Sequence, residues 1–335
     1  MLRLLPRAAI AVVLSAAGCS SGTWRPVPVA TIPAMPAFEP PQAGPRRRPT
    51  PAAKHDAPTF TAIAGDLPAD PGVGGAVITC KEKTCALADL VPPELVPKAE
   101  PRSPSPAAVW TERFPAAGST LSTPRDARID VYGVVLRGGV KVRGVEAAKG
   151  EELGPWKAFR APGGAVAVTS TRADTTVLFA VVSDGNASVL ELVRTRDRAA
   201  AWKERPHPVE TKDLNTSPDL AWMGGAFHAR LGFEGQGQRA SLGVLLGGPD
   251  AKVMPHVHDT SWEILVALHA KGTFGVDDGS GNLSSSSLVD GGVVMVPRGT
   301  RHAWTPVGDS PLVAIQLYSP PGPEQRFRDL AQKPH

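Results

Sequence analysis

Two textures of apolar and polar positions divide the chain. From about residue 108, short apolar runs rich in Val and Leu alternate with Gly, Asp, Ser and Pro. No long stretch repeats with the 3.6-residue period of an amphipathic helix. In the last hundred residues the pattern predicts strands at Ala240–Leu246, Lys252–His258, Trp262–Leu268, Gly272–Val276, Ser286–Val289, Val293–Val296, Arg301–Pro306 and Val313–Tyr318. Turn signals separate them: "GGPDA", "DDGSGN", "DGG", "PRGT" and "VGDSP". Eight short strands punctuated in this way predict an all-β sandwich or barrel. The tail "PEQRFRDLAQ", from Pro323, is the helical candidate. "RTRDRAAAWKER", residues 194–205, is ambiguous, a short bridging helix being one reading.

Before residue 106 the texture is different. Residues 20–105 contain 17 prolines. Proline removes a backbone donor and blocks helix and central strand, so residues 19–105 are expected to form an extended tether with a possible small disulfide loop, the segment "GVGGAVITCKEKTCALADL" being the candidate for a small ordered knot inside it. Ahead of it, Arg3 and Arg7 precede a short apolar run from Ala8 to Ala17. That run is too short to span a bilayer and reads as an export signal over residues 1–18. "SAAGC" resembles the lipobox of bacterial lipoproteins. The resemblance implies that Cys19 carries a lipid, that the mature chain is anchored to a membrane, and that with Ser20 after the cysteine it is sorted to the outer membrane. Cleavage near Ala17, releasing a soluble exported protein, is the alternative.

Cys80 and Cys85, in "CKEKTC", are the remaining cysteines. An exported protein sits where disulfides persist, so a local disulfide is expected rather than a zinc site, which needs more ligands nearby. Net charge is +4, and "RRR" at 46–48 is the densest basic tract. Set among prolines, it reads as a solvated patch; no nucleic-acid partner is expected.

The chemistry concentrates in "VMPHVHDTSWEILVAL", residues 253–268. Residues i and i+2 of a strand share a face, so His256 and His258 project together. Glu263 opens the next strand. Further on, "GGVVMVPRGTRHAW" places a turn at Pro297, Gly299 and Thr300, then His302. Three imidazoles and one carboxylate suit Mn, Fe, Co, Ni, Cu or Zn. Four protein ligands on a six-coordinate ion leave positions for water, substrate or dioxygen.

This arrangement resembles the cupins. His256, His258 and Glu263 match the spacing HxH-x4-E, and Gly291, Pro297, Gly299 and His302 match G-x5-PxG-x2-H. The chain departs from the pattern at displaced glycines (Gly248, Gly272) and at Pro306, which stands where an Asn is usual. The resemblance implies a double-stranded β-helix (jelly-roll) barrel over residues 219–320, with these four side chains on one divalent metal. Met254 and Trp304 are expected to face the barrel interior, as core or pocket wall, and Arg298 to lie at the pocket mouth, where it pairs with an anionic ligand or with solvent. Arg301 is expected to point outward, Trp262 is a lesser pocket candidate, and His228 and His269 are ordinary.

Residues 106–205 read as a second, degenerate barrel lacking ligands. "IDVYGVVLRGG" mirrors "WEILVALHAKG", and "PGGAVA" mirrors "PRGTRH". That alignment sets Asp130 against Glu263, Thr123 and Arg125 against the two histidines, and Ala167 against His302; the silent barrel is expected to cover its neighbour. A short tail, 321–335, follows the second barrel. Two functions are open. One is a metal-dependent enzyme on a small molecule outside the cytoplasm, of dioxygenase, decarboxylase or isomerase class. The other is a non-catalytic cupin lipoprotein that captures a small molecule or metal. No separate general acid or base stands out, and oligomeric state is open.

Overall fold

A computed structural model describes residues 67–69, 71–79, 84–86, 106–123, 125–144, 149–183, 189, 208–235, 237–277, 279 and 281–332. The leader, Cys19, Cys80 and residues 194–205 lie outside these residues. Cys85 lies in a described strand, Thr84–Ala86.

Among the described residues, 21 strands (β1 to β21 in chain order) form four sheets, and a single α-helix, α1 (Gln325–Ala331), closes the chain. The first half pairs a six-stranded with a five-stranded sheet. The larger runs in the order β1 (Ala76–Thr79), β3 (Ala107–Phe114), β10 (Thr175–Ser183), β5 (Ile129–Arg137), β8 (Lys157–Pro162), β11 (Glu210–Asp213). The smaller runs β2 (Thr84–Ala86), β4 (Thr120–Ser122), β9 (Val166–Ser170), β6 (Val140–Gly144), β7 (Glu151–Leu153). The second half repeats the plan. Six strands run β12 (Asp219–Trp222), β13 (Phe227–Phe233), β14 (Ser241–Gly247), β21 (Leu312–Ser319), β16 (Trp262–His269), β19 (Val293–Val296). Four run β15 (Val253–His256), β20 (His302–Pro306), β17 (Lys271–Asp277), β18 (Leu283–Val289). Non-consecutive neighbours in each sheet give the crossed-over topology of a double-stranded β-helix.

Three apolar layers hold these sheets together. Phe114, Val131, Phe159, Phe179 and Val181 fill the first barrel, with Trp110 stacked on Phe179 at 5.4 Å. Leu265, Ala267, Phe274, Val294, Trp304 and Tyr318 fill the second. Between them, Tyr132, Val134, Leu136 and Leu178 of the first half pack against Leu242, Val244, Ile264, Val266, Ile315 and Leu317 of the second. The two six-stranded sheets therefore lie back to back. Strands β10, β14 and β21 are buried at every position, and β5 at every position but its last. Such strands lose the alternation of a one-faced sheet and read as continuous apolar runs.

The segment expected to be ordered inside the proline-rich stretch does hold two strands, but they form no separate knot. Within the proline-rich stretch, β1 pairs in parallel with β3, and β2 with β4, so both belong to the first barrel and not to a tether. "AVIT" is a proline-free β-branched run, and that suffices for an edge strand. Gly75 N donates to Gly291 O at 2.9 Å, and a Cβ on Gly74 would fall 2.4 Å from Val266 Cγ1. The segment thus laces one barrel to the other, and close approach at Gly74 leaves no room for a side chain.

The presumed internal alignment is out by one residue. Glu263 pairs with Val296 and Tyr318, and its strand sends Leu265 and Ala267 into the second barrel. In the first barrel the inward residues of β5 are Ile129, Val131 and Val135. Val131 pairs with Ala161 and Val181, so Val131 stands where Glu263 does, and Asp130 faces the other barrel. By the same register Val166, not Ala167, occupies the His302 position. A one-residue slip sends every side chain of a strand to the opposite face. Thr123 does stand near the His256 position: its N donates to Val166 O at 3.0 Å. Asp130 instead accepts two hydrogen bonds from Arg160, at 2.8 and 3.0 Å, in a buried ion pair.

Candidate metal centre

The second barrel is closed by two connections that bring the sequence motifs together. Strand β15 pairs with β20 through Val253–Trp304 and His256–His302, so three steps on one strand match two on the other. This bulge turns Val253 and His256 inward and leaves Met254 and Pro255 exposed. Met254 is therefore a surface residue, 64 % exposed, and neither core nor pocket wall. His258 lies beyond the end of β15. Its position is set from the other motif: Gly299 N donates to His258 O at 2.8 Å. Gly299 has φ +72°, which only glycine adopts without strain, and this is the reason for glycine in the PxG turn. Thr300 N closes that turn on Pro297 O at 3.1 Å and delivers His302 as the first residue of β20.

The ligand atoms of His256, His258, Glu263 and His302 all lie within 4.8 Å of one another. Glu263 Oε2 stands 2.7 Å from His302 Nε2 and 3.1 Å from His258 Nε2. The Nδ1–H of His302 donates to Thr300 O at 2.9 Å, and that of His256 to Met254 O at 3.0 Å. Backbone carbonyls on Nδ1 fix both rings so that Nε2 faces the shared centre. A cation about 2.1 Å from each atom sets neighbouring ligand atoms about 3 Å apart and opposite ones a little over 4 Å. The observed spacings meet the first requirement and need only small ring shifts for the second, so the residues fit a single divalent transition ion.

Electrostatics act in opposite senses on the quartet: they free His256 and Glu263 of protons and favour a proton on His302, with which a metal ion would have to compete. Burial, then the charges of His302 and Arg326, push the His256 imidazole down to about 4, so its Nε2 carries no proton at neutral pH; its lone pair accepts from Arg326, a contact that an incoming ion would replace. Burial would raise Glu263, but hydrogen bonds from His258 and His302 outweigh it and hold the carboxyl well below its usual range. Burial works against a charged His302, yet the hydrogen bond and charge of Glu263 raise it above an ordinary imidazole. Burial and the Glu263 charge push the Tyr318 phenol well above its usual range, so it stays protonated.

The sequence reading missed the residues around the quartet. Gln316 Nε2 donates to Glu263 Oε1 at 2.5 Å. It is the one amide in the apolar run "LVAIQLYS", and that interruption was the available signal. Tyr318 packs edge-on to His258 at 5.0 Å, and Phe274 lies parallel to His302 at 5.9 Å. Arg326, from α1, donates from Nη2 to His256 Nε2 and to Tyr318 Oη, each at 3.3 Å. Of the proposed pocket residues, Trp304 is 3 % exposed within the barrel core, and Arg298 is exposed on the turn. Arg301 is exposed, Trp262 packs against the layer between the barrels, His228 bonds Asp219 at 2.8 Å, and His269 faces Asp290 at 3.7 Å.

Replacing Gln316 by leucine removes the donor that fixes Glu263 and leaves Oε1 buried without a partner. Outer partners of this kind typically contribute about 10–100-fold in metal affinity. Gln316→Leu is expected to weaken metal binding by roughly that factor while retaining the fold, as read by competition with a chromophoric chelator. Unchanged affinity would remove Gln316 from the site.

No family model and no curated protein matches the chain. Solved structures do. The chain superposes on oxalate decarboxylase, in a structure that addresses its substrate binding mode and a reaction specificity switch, with TM-score 0.51 and 13 % identity over 64 % of this chain and 69 % of that one. A structure of Bacillus subtilis oxalate decarboxylase, concerned with its Mn(II) centres, gives TM-score 0.50 and 13 % identity over 64 % and 69 %. A mutant of the same enzyme, with SENS replaced by DSSN, gives 0.51 and 13 % over the same shares. At this identity the likeness is one of fold, and the fold is the all-β, jelly-roll architecture of the cupins, present twice in this chain.

Proposed function

We propose that the second barrel binds one divalent transition metal through His256, His258, Glu263 and His302, and that the protein is a metal-dependent enzyme acting on a small molecule. The observation that carries this reading is the convergence of four ligand atoms within 4.8 Å inside an otherwise apolar barrel. An apolar core tolerates three imidazoles and a carboxylate only when they are mutually paired or hold an ion. A bound ion would supply Lewis acidity at the positions the protein leaves open. The chain's own part is positional. Carbonyls of Met254 and Thr300 aim two imidazoles, Gln316 aims the carboxylate, and Phe274 and Tyr318 shield the centre from water. Decarboxylation, dioxygenation and isomerisation all suit this arrangement. The Mn(II) centres of the oxalate decarboxylase with this fold favour the first, with manganese. The first barrel presents Val131, Val166, Phe179 and Val181 at the positions of Glu263, His302, Gln316 and Tyr318, and so serves as a scaffold.

Metal analysis of protein purified without chelator is the direct test. About one equivalent of metal per chain is expected, with carbon dioxide release or oxygen uptake on a panel of carboxylates and phenols. A metal-free protein that stays so after incubation with each candidate ion would overturn the reading. Stoichiometric metal with no turnover and tight capture of one panel member would point to a binding protein.

We further propose that the chain is exported and lipid-anchored through Cys19. The reading is supported by the charged, then apolar, then small-residue order of the leader. Metabolic labelling with a radioactive fatty acid should mark the protein and not the Cys19→Ala variant. Equal labelling of both would refute the anchor.

A further inference from the structure

The metal ligands leave open what holds the far end of a bound molecule, and the C-terminal helix supplies a candidate. Arg326 sits in the first turn of α1 between two buried anchors. On one side Glu324, 1 % exposed, accepts through Oε2 from Gly322 N at 2.7 Å and from Ser241 Oγ at 3.0 Å. On the other, Phe327 stacks on Trp222 at 5.0 Å and lies beside Tyr318. The half-buried guanidinium is thereby held beside the quartet. Its two hydrogen-bonding side-chain partners, His256 Nε2 and Tyr318 Oη, are neutral and stand at a long 3.3 Å, and the guanidinium also lies over the Phe327 ring, 5.4 Å from its centroid. None of the ion pairs among the described residues includes it, whereas Arg328, two residues on, is paired with Glu234. A guanidinium partly withdrawn from water and lacking a carboxylate has lost hydration without recovering it from an anion.

Charge arithmetic gives the sign of what is missing. A divalent ion, the carboxylates of Glu263 and of the buried Glu324, whose charge also acts on Tyr318, and Arg326 still sum to +1 (2 − 2 + 1). Resting on the metal reading above, we propose that Arg326 and Tyr318 bind a small carboxylate whose oxygens also reach the metal, so that Arg326 determines substrate specificity and α1 is part of the site. The planar fork of a guanidinium matches a carboxylate in two parallel hydrogen bonds. Gln316 already satisfies the free oxygen of Glu263, so Arg326 is not needed to neutralise that residue.

The test uses the full chain loaded with Mn2+, its metal content measured first, and titrated calorimetrically with acetate, malonate and orthophosphate. Arg326→Ala should keep its metal and bind both carboxylates roughly 30-fold more weakly or worse, the usual scale for removing one partner of a desolvated charge pair. Arg326→Lys should recover part of the loss, because it restores charge but not the fork, and Arg328→Ala should bind as the parent does. Carboxylate affinity unchanged in Arg326→Ala overturns the proposal. So does loaded parent protein that binds neither carboxylate, or that prefers orthophosphate, and so does loss of metal from Arg326→Ala, which would make the residue a support of the quartet. A parent protein that takes up no Mn2+ defeats the metal reading itself, a result the metal measurement separates from the others.

Discussion

The His302→Ala protein is expected to lose stoichiometric metal. His302 is 2 % exposed, is aimed by Thr300 O, and contributes the nitrogen nearest to Glu263. Deleting it removes one of four donors and opens a gap against the Phe274 ring. The loss should exceed the roughly 10–100-fold that follows removal of an outer partner such as Gln316. Metal bound to the native state raises its stability by mass action, so added metal should raise the melting temperature of the parent protein and leave that of His302→Ala unmoved. His269→Ala, on the same strand as Glu263 but facing Asp290 at 3.7 Å and outside the quartet, should bind metal as the parent does. Full metal occupancy in purified His302→Ala would remove the residue from the ligand set.

Asp130→Ala should have the opposite profile, with metal retained and stability lost. Asp130 and Arg160 have side chains 5 % and 7 % exposed, and Arg239 of the second half stands 3.7 Å from the same carboxylate. Removing the acid strands a buried guanidinium, which keeps only Glu210 at 2.9 Å and a long contact to Gly237 O. Breaking such a pair by deleting one partner costs about 3 kcal/mol or more. Urea denaturation should show that loss, with metal content unchanged. If Asp130→Ala shed its metal at constant stability, the register drawn here for the first barrel would be wrong.

What could be read before folding, and what could not, divides along physical lines. The quartet was legible because HxH-x4-E and PxGxxH each carry spacing information that survives local irregularity. The parity of Asp130 was not legible. Strand β5 is buried on both faces, so "IDVYGVVLR" gives no alternation from which to tell inside from outside. Met254 was misplaced for a different reason: the bulge after Val253 adds one residue, and Pro255, a residue confined in sheets to edges and bulges, was the signal for it. Strand β1 falls in a segment whose composition marks it as ordered, but its pairing with β3 of the first barrel is not written in the local sequence. Arg326 lies 70 residues from His256, and only the docking of α1 on the barrel brings them together. The tail was readable as a helix, but the contact of its arginine with the site depends on Phe327 and Glu324 being drawn inward.

The layer between the barrels bears on how the molecule comes apart. Its side chains come from both halves, so neither sheet can separate without exposing the other's apolar back to water. Heating or denaturant should therefore melt both halves in one cooperative transition, with calorimetric and van't Hoff enthalpies in agreement. The ligand-free half would then act as a thermodynamic counterweight, setting the free energy at which the other half yields its ion.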